Sequence, residues 1–247
     1  MLAALIVLAL LGGWELYADS GGVDPLILPP PHDVASSLWN DRGYLWHNLH
    51  VTGGEVLLGI LVALAAGLVL ALAMHLSRTL RRAIYPLLMA SQTIPIVVIA
   101  PLLVTWLGFD LTPKLFIVGL VCFFPVVVST LDALASVDSD QLKLMRTLGA
   151  SRAQTLLHVE APSALPGLFS GAKIAVVTSL IGAVLAEQAG SSDGLGHVIT
   201  YATGQLQTAQ AYAAVVLLSL FAVALFALIA ALERWAAPWA RTARKAT

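Results

Sequence analysis

Residue types that perform enzymatic chemistry are few in this 247-residue sequence, and their spacing forms no catalytic motif. The G-x-x-x-x-G-K-[ST] loop that binds nucleotide phosphates is absent, as are the G-x-S-x-G and H-E-x-x-H motifs. The six histidines are scattered, and the one cysteine, Cys122, lies in an apolar run. The sequence therefore predicts a protein that is not an enzyme, with no catalytic residue, metal site or cofactor of its own.

Polar side chains within long apolar segments are the better candidates for function. Gln92 and Thr93 precede Pro95, and a proline leaves a helical carbonyl without its donor, so the unwound turn can face a water-filled path. A structural kink, satisfied by neighbouring helices, explains the same residues equally well. Ser179 and Glu187 lie in a later apolar segment, where Glu187 fits a gate or a packing contact as well as a substrate contact. These five residues form the predicted translocation path.

The longest polar interruption in the second half of the chain covers residues 138–162. Its pattern predicts two short helices separated by a bend at Gly149, because glycine favours the backbone conformation that ends a helix. The apolar face of the first helix comprises Leu142, Leu144, Met145 and Leu148. Ser151 and Gln154 have the spacing of a capping box at the start of the second helix, and Pro162 is expected to end that helix.

The composition indicates what kind of protein holds these segments. Hydrophobic residues make up 59% and charged residues 11% of the chain, and the mean hydropathy is +0.88, whereas about a quarter of an ordinary soluble domain is charged. A net charge of -1 and the lack of a Lys/Arg cluster argue against a nucleic-acid partner. We therefore predict an all-α integral membrane protein of one domain, residues 1–247, in contact with membrane lipid.

Six apolar segments are predicted to span the membrane: residues 2–13, 56–74, 83–107, 115–131, 164–186 and 211–232. The third is expected to be broken by Pro86, Pro95 and Pro101. Residues 18–50 are more polar, and the stretch that carries Trp39 and Trp46 is expected to lie along the membrane surface. Small residues recur every four positions in the second and fifth spans, a pattern typical of close helix packing.

The distribution of basic residues predicts the orientation of these spans. With the amino terminus in the cytoplasm, ten basic residues are cytoplasmic: Arg78, Arg81, Arg82, Lys143, Arg146, Arg152, Arg234, Arg241, Arg244 and Lys245. Only Arg42 and Lys114 are then outside, and Lys173 is expected to extend from the fifth span to the cytoplasmic interface. Both termini and residues 138–162 are thus predicted to be cytoplasmic.

Residues 138–162 resemble the cytoplasmic coupling loop of ABC importer permeases, whose pattern is Glu-Ala-Ala, three residues, Gly, nine residues and Ile-x-Leu-Pro. Nine residues separate Gly149 from Val159-Glu160-Ala161-Pro162, which takes the last position, whereas Lys143-Leu144-Met145 departs from Glu-Ala-Ala. Further segments look like the nitrate, sulfonate and taurine type of these permeases: residues 28–38, 92–95, 100–102, 106–109, 146–151, 164–167, 186–187 and 194–196.

This resemblance implies the type I fold of ABC importer permeases, with about six transmembrane helices, in the inner membrane of the cell. The implied ATPase-coupling residues are Leu142, Met145, Arg146, Leu148, Gly149, Ala150, Ser151 and Arg152. The implied partners are two ABC ATPase subunits, which bind the ATP, a second copy of the permease and an extracytoplasmic substrate-binding protein.

Three segments, residues 91–96, 122–125 and 181–184, look most like permeases for pyrimidine precursors of thiamine, so a solute of this kind is the expected substrate. A nitrate-, sulfonate- or taurine-like solute is the alternative. Two other classes stay open. One is an ion-coupled secondary transporter, although charged residues within the spans are nearly absent; the other is a membrane assembly protein without transport activity.

Overall fold

The computed structural model describes residues 2–239, and this part of the chain is helical, with no β-strand. The helices are α1 (Leu2–Asp19), α2 (Pro31–Asn40), α3 (Arg42–Leu76), α4 (Arg78–Ser91), α5 (Ile96–Leu107), α6 (Leu111–Ala135), α7 (Ser139–Thr147), α8 (Arg152–Thr155), α9 (Ala161–Gly190), α10 (Leu195–Gly204) and α11 (Thr208–Ala236). The predicted all-α fold class is confirmed. Arg241, Arg244 and Lys245 lie outside the described residues.

Four helices within residues 2–239 are long and apolar enough to cross a membrane: α3, α6, the continuous helix Arg152–Gly190 and α11. α4 and α5 form a fifth candidate, bent by 96°. The bend falls at residues 92–95, whereas Pro86 and Pro101 lie inside helices and do not break them, contrary to the prediction. The predicted span at residues 2–13 lies on α1, which is not among these five candidates.

α6 packs along α3 in the centre of the fold. A Cβ atom added at Gly59 would be 2.3 Å from Val118 Cγ1, and one at Gly67 would be 2.8 Å from Val126 Cγ1. Because these contacts advance together along both helices, α3 and α6 run parallel. The chain must therefore cross back between them, so α4 and α5 together serve as one bent span.

α9 packs against α6 in the opposite direction. A Cβ atom at Gly167 would be 2.2 Å from Ala133 Cβ near the end of α6, and one at Gly182 would be 3.3 Å from Val118 Cα near its start. Glycines at these positions let the two helix backbones approach closely. The small residues predicted in the second and fifth spans thus serve helix packing.

α11 runs antiparallel to α9. Lys173 of α9 donates a hydrogen bond to Glu233 near the end of α11, while Ala213 near the start of α11 packs with Val198 of α10. Lys173 therefore has an anionic partner within the protein, which the sequence analysis did not identify.

α3 is longer than the predicted second span. It begins at Arg42, so that Trp46 lies on this helix rather than on a separate surface segment. The polar first third of α3 is accommodated because Asn48, Thr52 and Glu55, which share one helix face, are buried against other helices.

We expect Gly59→Ala to destabilise the protein by about 1–3 kcal/mol, because the added methyl group overlaps Val118 in the contact between α3 and α6. Gly54→Ala on the same helix places its methyl group in open space and is the matched control. Thermal unfolding of both variants in detergent measures the difference. Equal unfolding temperatures would contradict the packing of α3 on α6.

Candidate functional site

Residues 138–162 begin with a short helix that ends in a bend, as predicted. Gly149 has a φ of +72°, in the left-handed region, directly after the end of α7. Gly149 N–H donates to the Arg146 carbonyl at 3.0 Å, and Ala150 N–H donates to the Met145 carbonyl at 3.0 Å. This pair of bonds is a Schellman helix end, which requires a residue that tolerates positive φ.

α8 starts with the capping box predicted for Ser151 and Gln154. Gln154 N–H donates to Ser151 Oγ at 3.3 Å, and Ser151 N–H donates to Gln154 Oε1 at 2.8 Å. Two backbone donors that the helix itself leaves free are satisfied. The bend is therefore held by hydrogen bonds on both of its sides.

The predicted coupling residues lie together on this bend and leave apolar surface uncovered. No residue of α7 is buried, and its neighbour Leu148 is 70% exposed, while Leu144 is 58% exposed. Leu142 and Met145 are half-buried. Leu144 and Leu148 are one helical turn apart, so their exposed side chains lie next to each other.

Pro162 does not end the second helix, contrary to the prediction. Leu156–Glu160 forms a π-helical turn, in which Ala161 N–H donates to the Leu156 carbonyl five residues earlier. This wider turn lets the hydrogen-bond ladder pass Pro162, which has no N–H, and the helix continues to Gly190. α8 is thus joined to the membrane helix α9 without a break.

A polar group built around a buried carboxylate lies beside this turn; we call His75, Arg152 and Glu160 the Glu160 cluster. Glu160 is 2% exposed. Its Oε1 accepts a hydrogen bond from Arg152 Nη1 at 2.6 Å, and its Oε2 is 2.9 Å from His75 Nε2. His75 belongs to the last turn of α3, so the cluster joins the end of a span to the start of the helix that follows the bend.

Glu187 is buried at the opposite end of the bundle. Its carboxylate accepts hydrogen bonds from Thr52 Oγ1 at 2.6 Å and from Gly196 N–H at 2.5 Å. Thr52 Oγ1 in turn accepts from Leu195 N–H at 2.8 Å. A Cβ atom at Gly196 would be 2.7 Å from Glu187 Oε2, so glycine is needed for this approach. The loop after α9 is thus tied to α3.

A second ionic contact lies at the same end. Lys114 Nζ donates to Glu55 Oε1 and to Ser191 Oγ, both at 2.7 Å. Lys114 and Glu55 are both buried. The buried ammonium group of Lys114, which belongs to α6, thus links this helix to α3 and to the loop after α9.

Sequence reasoning missed Asn48, Thr52 and Glu55, which together contact the loop after α9 and the start of α6. Asn48 Oδ1 accepts from Gly194 N–H at 2.7 Å. The available signal was their spacing, since residues four and three positions apart share one face of a helix. No comparable local signal links His75 to Glu160.

The structure separates the five residues of the predicted translocation path. Gln92, Thr93 and Pro95 lie together and exposed at the break between α4 and α5. Ser179 and Glu187 are buried within the chain, and Ser179 Oγ donates to the Val176 carbonyl of its own helix at 2.7 Å. Only the first three are accessible on the chain as described.

Three side chains outside the bundle core have the spacing of a metal site. Ligand atoms of Glu15, Asp19 and His32 lie within 4.8 Å of one another in the described part of the chain. His32 Nδ1 is 2.5 Å from Glu15 Oε1, and this hydrogen bond raises the pKa of His32. The ring therefore has a protein partner for the proton that it carries.

In the loop after α9, a hydrogen bond from Ser192 lowers the pKa of Asp193.

Solved structures share this architecture. A structure described as an amino acid ABC transporter with histidines matches with a TM-score of 0.67 and 15% identity, over 80% of this chain and 96% of that chain. The MetNI methionine ABC transporter matches with a TM-score of 0.61 and 20% identity, over 81% of this chain and 97% of that chain. The fold is that of a type I ABC importer permease.

The sequence identifies the family. Residues 58–242 match the family described as binding-protein-dependent transport system inner membrane component, and the chain belongs to it. A probable ABC transporter permease protein of Haemophilus influenzae is 36% identical, over 90% of this chain and 91% of that protein. The formylaminopyrimidine transport permease protein ThiX of Halalkalibacterium halodurans is 33% identical (95% and 94%), and the riboflavin transport system permease protein RibX of Chloroflexus aurantiacus is 34% identical (94% and 88%).

We expect Lys114→Met to lower the free energy of unfolding by about 3–5 kcal/mol, because it leaves the buried Glu55 carboxylate without its cation. The double variant Glu55→Gln/Lys114→Met should recover most of this loss, since no buried charge of the pair is then left alone. Equilibrium unfolding in mixed micelles measures both.

Lys143→Met is the control for this experiment. It breaks an exposed pair with Asp140 on α7 and should change the free energy of unfolding by less than about 1 kcal/mol. A double variant as unstable as Lys114→Met alone would contradict the buried ion pair.

Proposed function

We propose that this protein forms the membrane path of an ATP-driven importer for a small polar or anionic solute. The observation that supports the proposal most directly is the exposed apolar surface beside Gly149. This residue has a left-handed backbone conformation and lies just before the helix Arg152–Gly190. A groove on an ATPase subunit that covers Leu144 and Leu148 would remove their apolar surface from water. The coupling residues are therefore proposed to be the eight residues inferred from the family resemblance.

The end of the bundle that holds the Glu160 cluster is proposed to face the cytoplasm. Seven basic residues in the described part of the chain lie in or beside helix ends there: Arg78, Arg81, Arg82, Lys143, Arg146, Arg152 and Arg234. An excess of Lys and Arg is the usual mark of the cytoplasmic side. With α1 as a sixth span, as the sequence predicts, both chain termini are proposed to be cytoplasmic in a multi-pass protein of the inner membrane.

The energy for transport is proposed to come from two ABC ATPase subunits, because this sequence has no phosphate-binding loop. One ATPase subunit would seat on the bend of each of two permease copies. A substrate-binding protein on the other side of the membrane would deliver the solute to the end that holds Glu187.

The path itself is proposed to run past the break between α4 and α5, where Gln92, Thr93 and Pro95 are exposed. Because the helix Arg152–Gly190 is continuous, displacement of the bend by the ATPase moves α9 as a rod. α6 and α3 are packed on α9, and α5 packs on both α6 and α9 through Leu103 and Val104, so a change of angle is proposed to occur at the break between α4 and α5. Ser179 and Glu187, which are buried, are proposed to stabilise the part of the path wall that α9 forms.

The substrate is proposed to be a pyrimidine precursor of thiamine. Support comes from relatives whose names specify formylaminopyrimidine and riboflavin, both of which contain a nitrogen heterocycle, and whose sequences align along almost the whole chain. A taurine- or sulfonate-like anion is the alternative, since a taurine permease of Escherichia coli is also a relative.

We expect Gly149→Val to lower ATP-dependent solute uptake while the protein still inserts in the membrane. A β-branched residue at φ +72° adds strain of about 1–2 kcal/mol and shifts the bend, although there is open space for the side chain. Uptake is measured in vesicles that hold the complex purified from native membranes. Gly149→Asn is the matched control and should keep most uptake, because asparagine tolerates the left-handed conformation.

Two results would contradict the proposed function. One is normal uptake by Gly149→Val. The other is purification of the parent protein in mild detergent without any ATPase bearing a phosphate-binding loop. Uptake that continues without ATP and stops when ion gradients are collapsed would favour a secondary transporter instead.

The substrate is tested by competition. Vesicles loaded with ATP and supplied with the binding protein should import a radiolabelled aminopyrimidine, and excess taurine should not reduce this import. Inhibition by taurine or nitrate, with none by aminopyrimidines, would replace the pyrimidine precursor by the anionic alternative.

A further inference from the structure

His75 is the point at which α3 meets the helix that follows the coupling bend. Its side chain is 13% exposed, and its Nε2 lies 2.9 Å from Glu160 Oε2 and 3.0 Å from Arg152 Nη2. The residues it meets are 85 and 77 positions away in the chain. When Nε2 carries a proton it donates to Glu160, and when it does not it accepts from Arg152. In either form the ring has a polar partner on the neighbouring helix.

Arg152 and Glu160 are held to each other across the π-helical turn. The 2.6 Å bond between Arg152 Nη1 and Glu160 Oε1 connects the first residue of α8 to the last residue of the turn. A π-helical turn is a local irregularity in a long helix. This bond braces that irregularity, so the bend and α9 move together.

We call α7, Gly149 and α8 the coupling bend. Apart from its link to His75, few of its side chains are buried against the membrane helices. No residue of α7 is buried, and Thr155 is the one buried residue of α8. A displacement of α7 and α8 therefore reaches α9 through the continuous helix and reaches α3 at His75. A buried carboxylate resists loss of its partners, because an unpaired charge in the interior is unfavourable.

We infer that His75 is a positioning residue that ties α3 to the coupling bend, so that displacement of the bend is passed to α3 as well as to α9. This inference rests on the proposed function, since it needs an ATPase that moves the bend. α3 carries Thr52 and Glu55 at its other end, where they contact Glu187 and Lys114. The same helix thus connects the bend to the polar contacts on the far side of the membrane.

The test is the number of solute molecules imported per ATP hydrolysed by the complex, purified with its ATPase and reconstituted with its binding protein. His75→Leu and Glu160→Met should each lower this ratio about tenfold, within the range of coupling between sites in proteins. His75→Gln should keep a ratio close to that of the parent, because its amide can donate from nearly the position of Nε2. If His75 acted only by filling buried space, His75→Leu and His75→Gln would give the same ratio.

The double variant His75→Leu/Glu160→Met should lower the ratio no further than either single variant does, because both substitutions remove the same link. Glu233→Met is the matched control. It breaks the ion pair of Lys173 with Glu233, between α9 and α11 and away from the bend, and should leave the ratio unchanged.

Outcomes for this inference and for the proposed function are separable. A parent complex without an ATPase overturns the proposed function before any variant is compared. If the ATPase is present, a parent-like ratio in His75→Leu overturns the role of His75, as does an equal loss in His75→Leu and His75→Gln. If Glu160→Met does not assemble, the comparison of His75→Leu with His75→Gln decides by itself.

Discussion

The close contact of α6 with α3 on one side and α9 on the other is the constraint on which the rest of the structure depends. Lipid tails are as apolar as leucine, so helices in a membrane are held by packing and polar contacts rather than by removal of apolar surface from water. Glycines at the crossing points, such as Gly59 and Gly167, allow the helix backbones to approach. This packing sets the rotation of each helix, and the rotation decides which polar side chains meet.

Two polar clusters follow from that packing, one at each end of the bundle. On α3, Thr52, which contacts Glu187, lies 23 positions before His75, which contacts Glu160. At 1.5 Å per residue this is about 35 Å, comparable with the hydrocarbon thickness of a bilayer, about 30 Å. Charged groups are thus placed near both margins of the membrane, and the helix between them is apolar.

The same arrangement divides the molecule into parts that are held together and a part that is less constrained. α3, α6 and α9 share glycine contacts, the buried Lys114–Glu55 pair and the Thr52–Glu187 hydrogen bond, and the loop after α9 is tied to them through Gly196. α5 also packs on α6 and α9 through Leu103 and Val104, whereas α4 has no buried residue and the break at residues 92–95 is exposed. A transporter needs both kinds of part, because a rigid unit can pass on a displacement only if another element can change its position.

Local pattern in the sequence was sufficient for the membrane class, the helical fold, the bend at Gly149, the capping box of Ser151 and the family. Each of these depends on residues close together in the chain. Only the tertiary structure showed that the helix passes Pro162 through a π-helical turn, and that His75 meets Glu160. The continued helix depends on a hydrogen-bond shift with no motif of its own. The pairing of His75 with Glu160 depends on how two helices, distant in sequence, are rotated against each other by their packing.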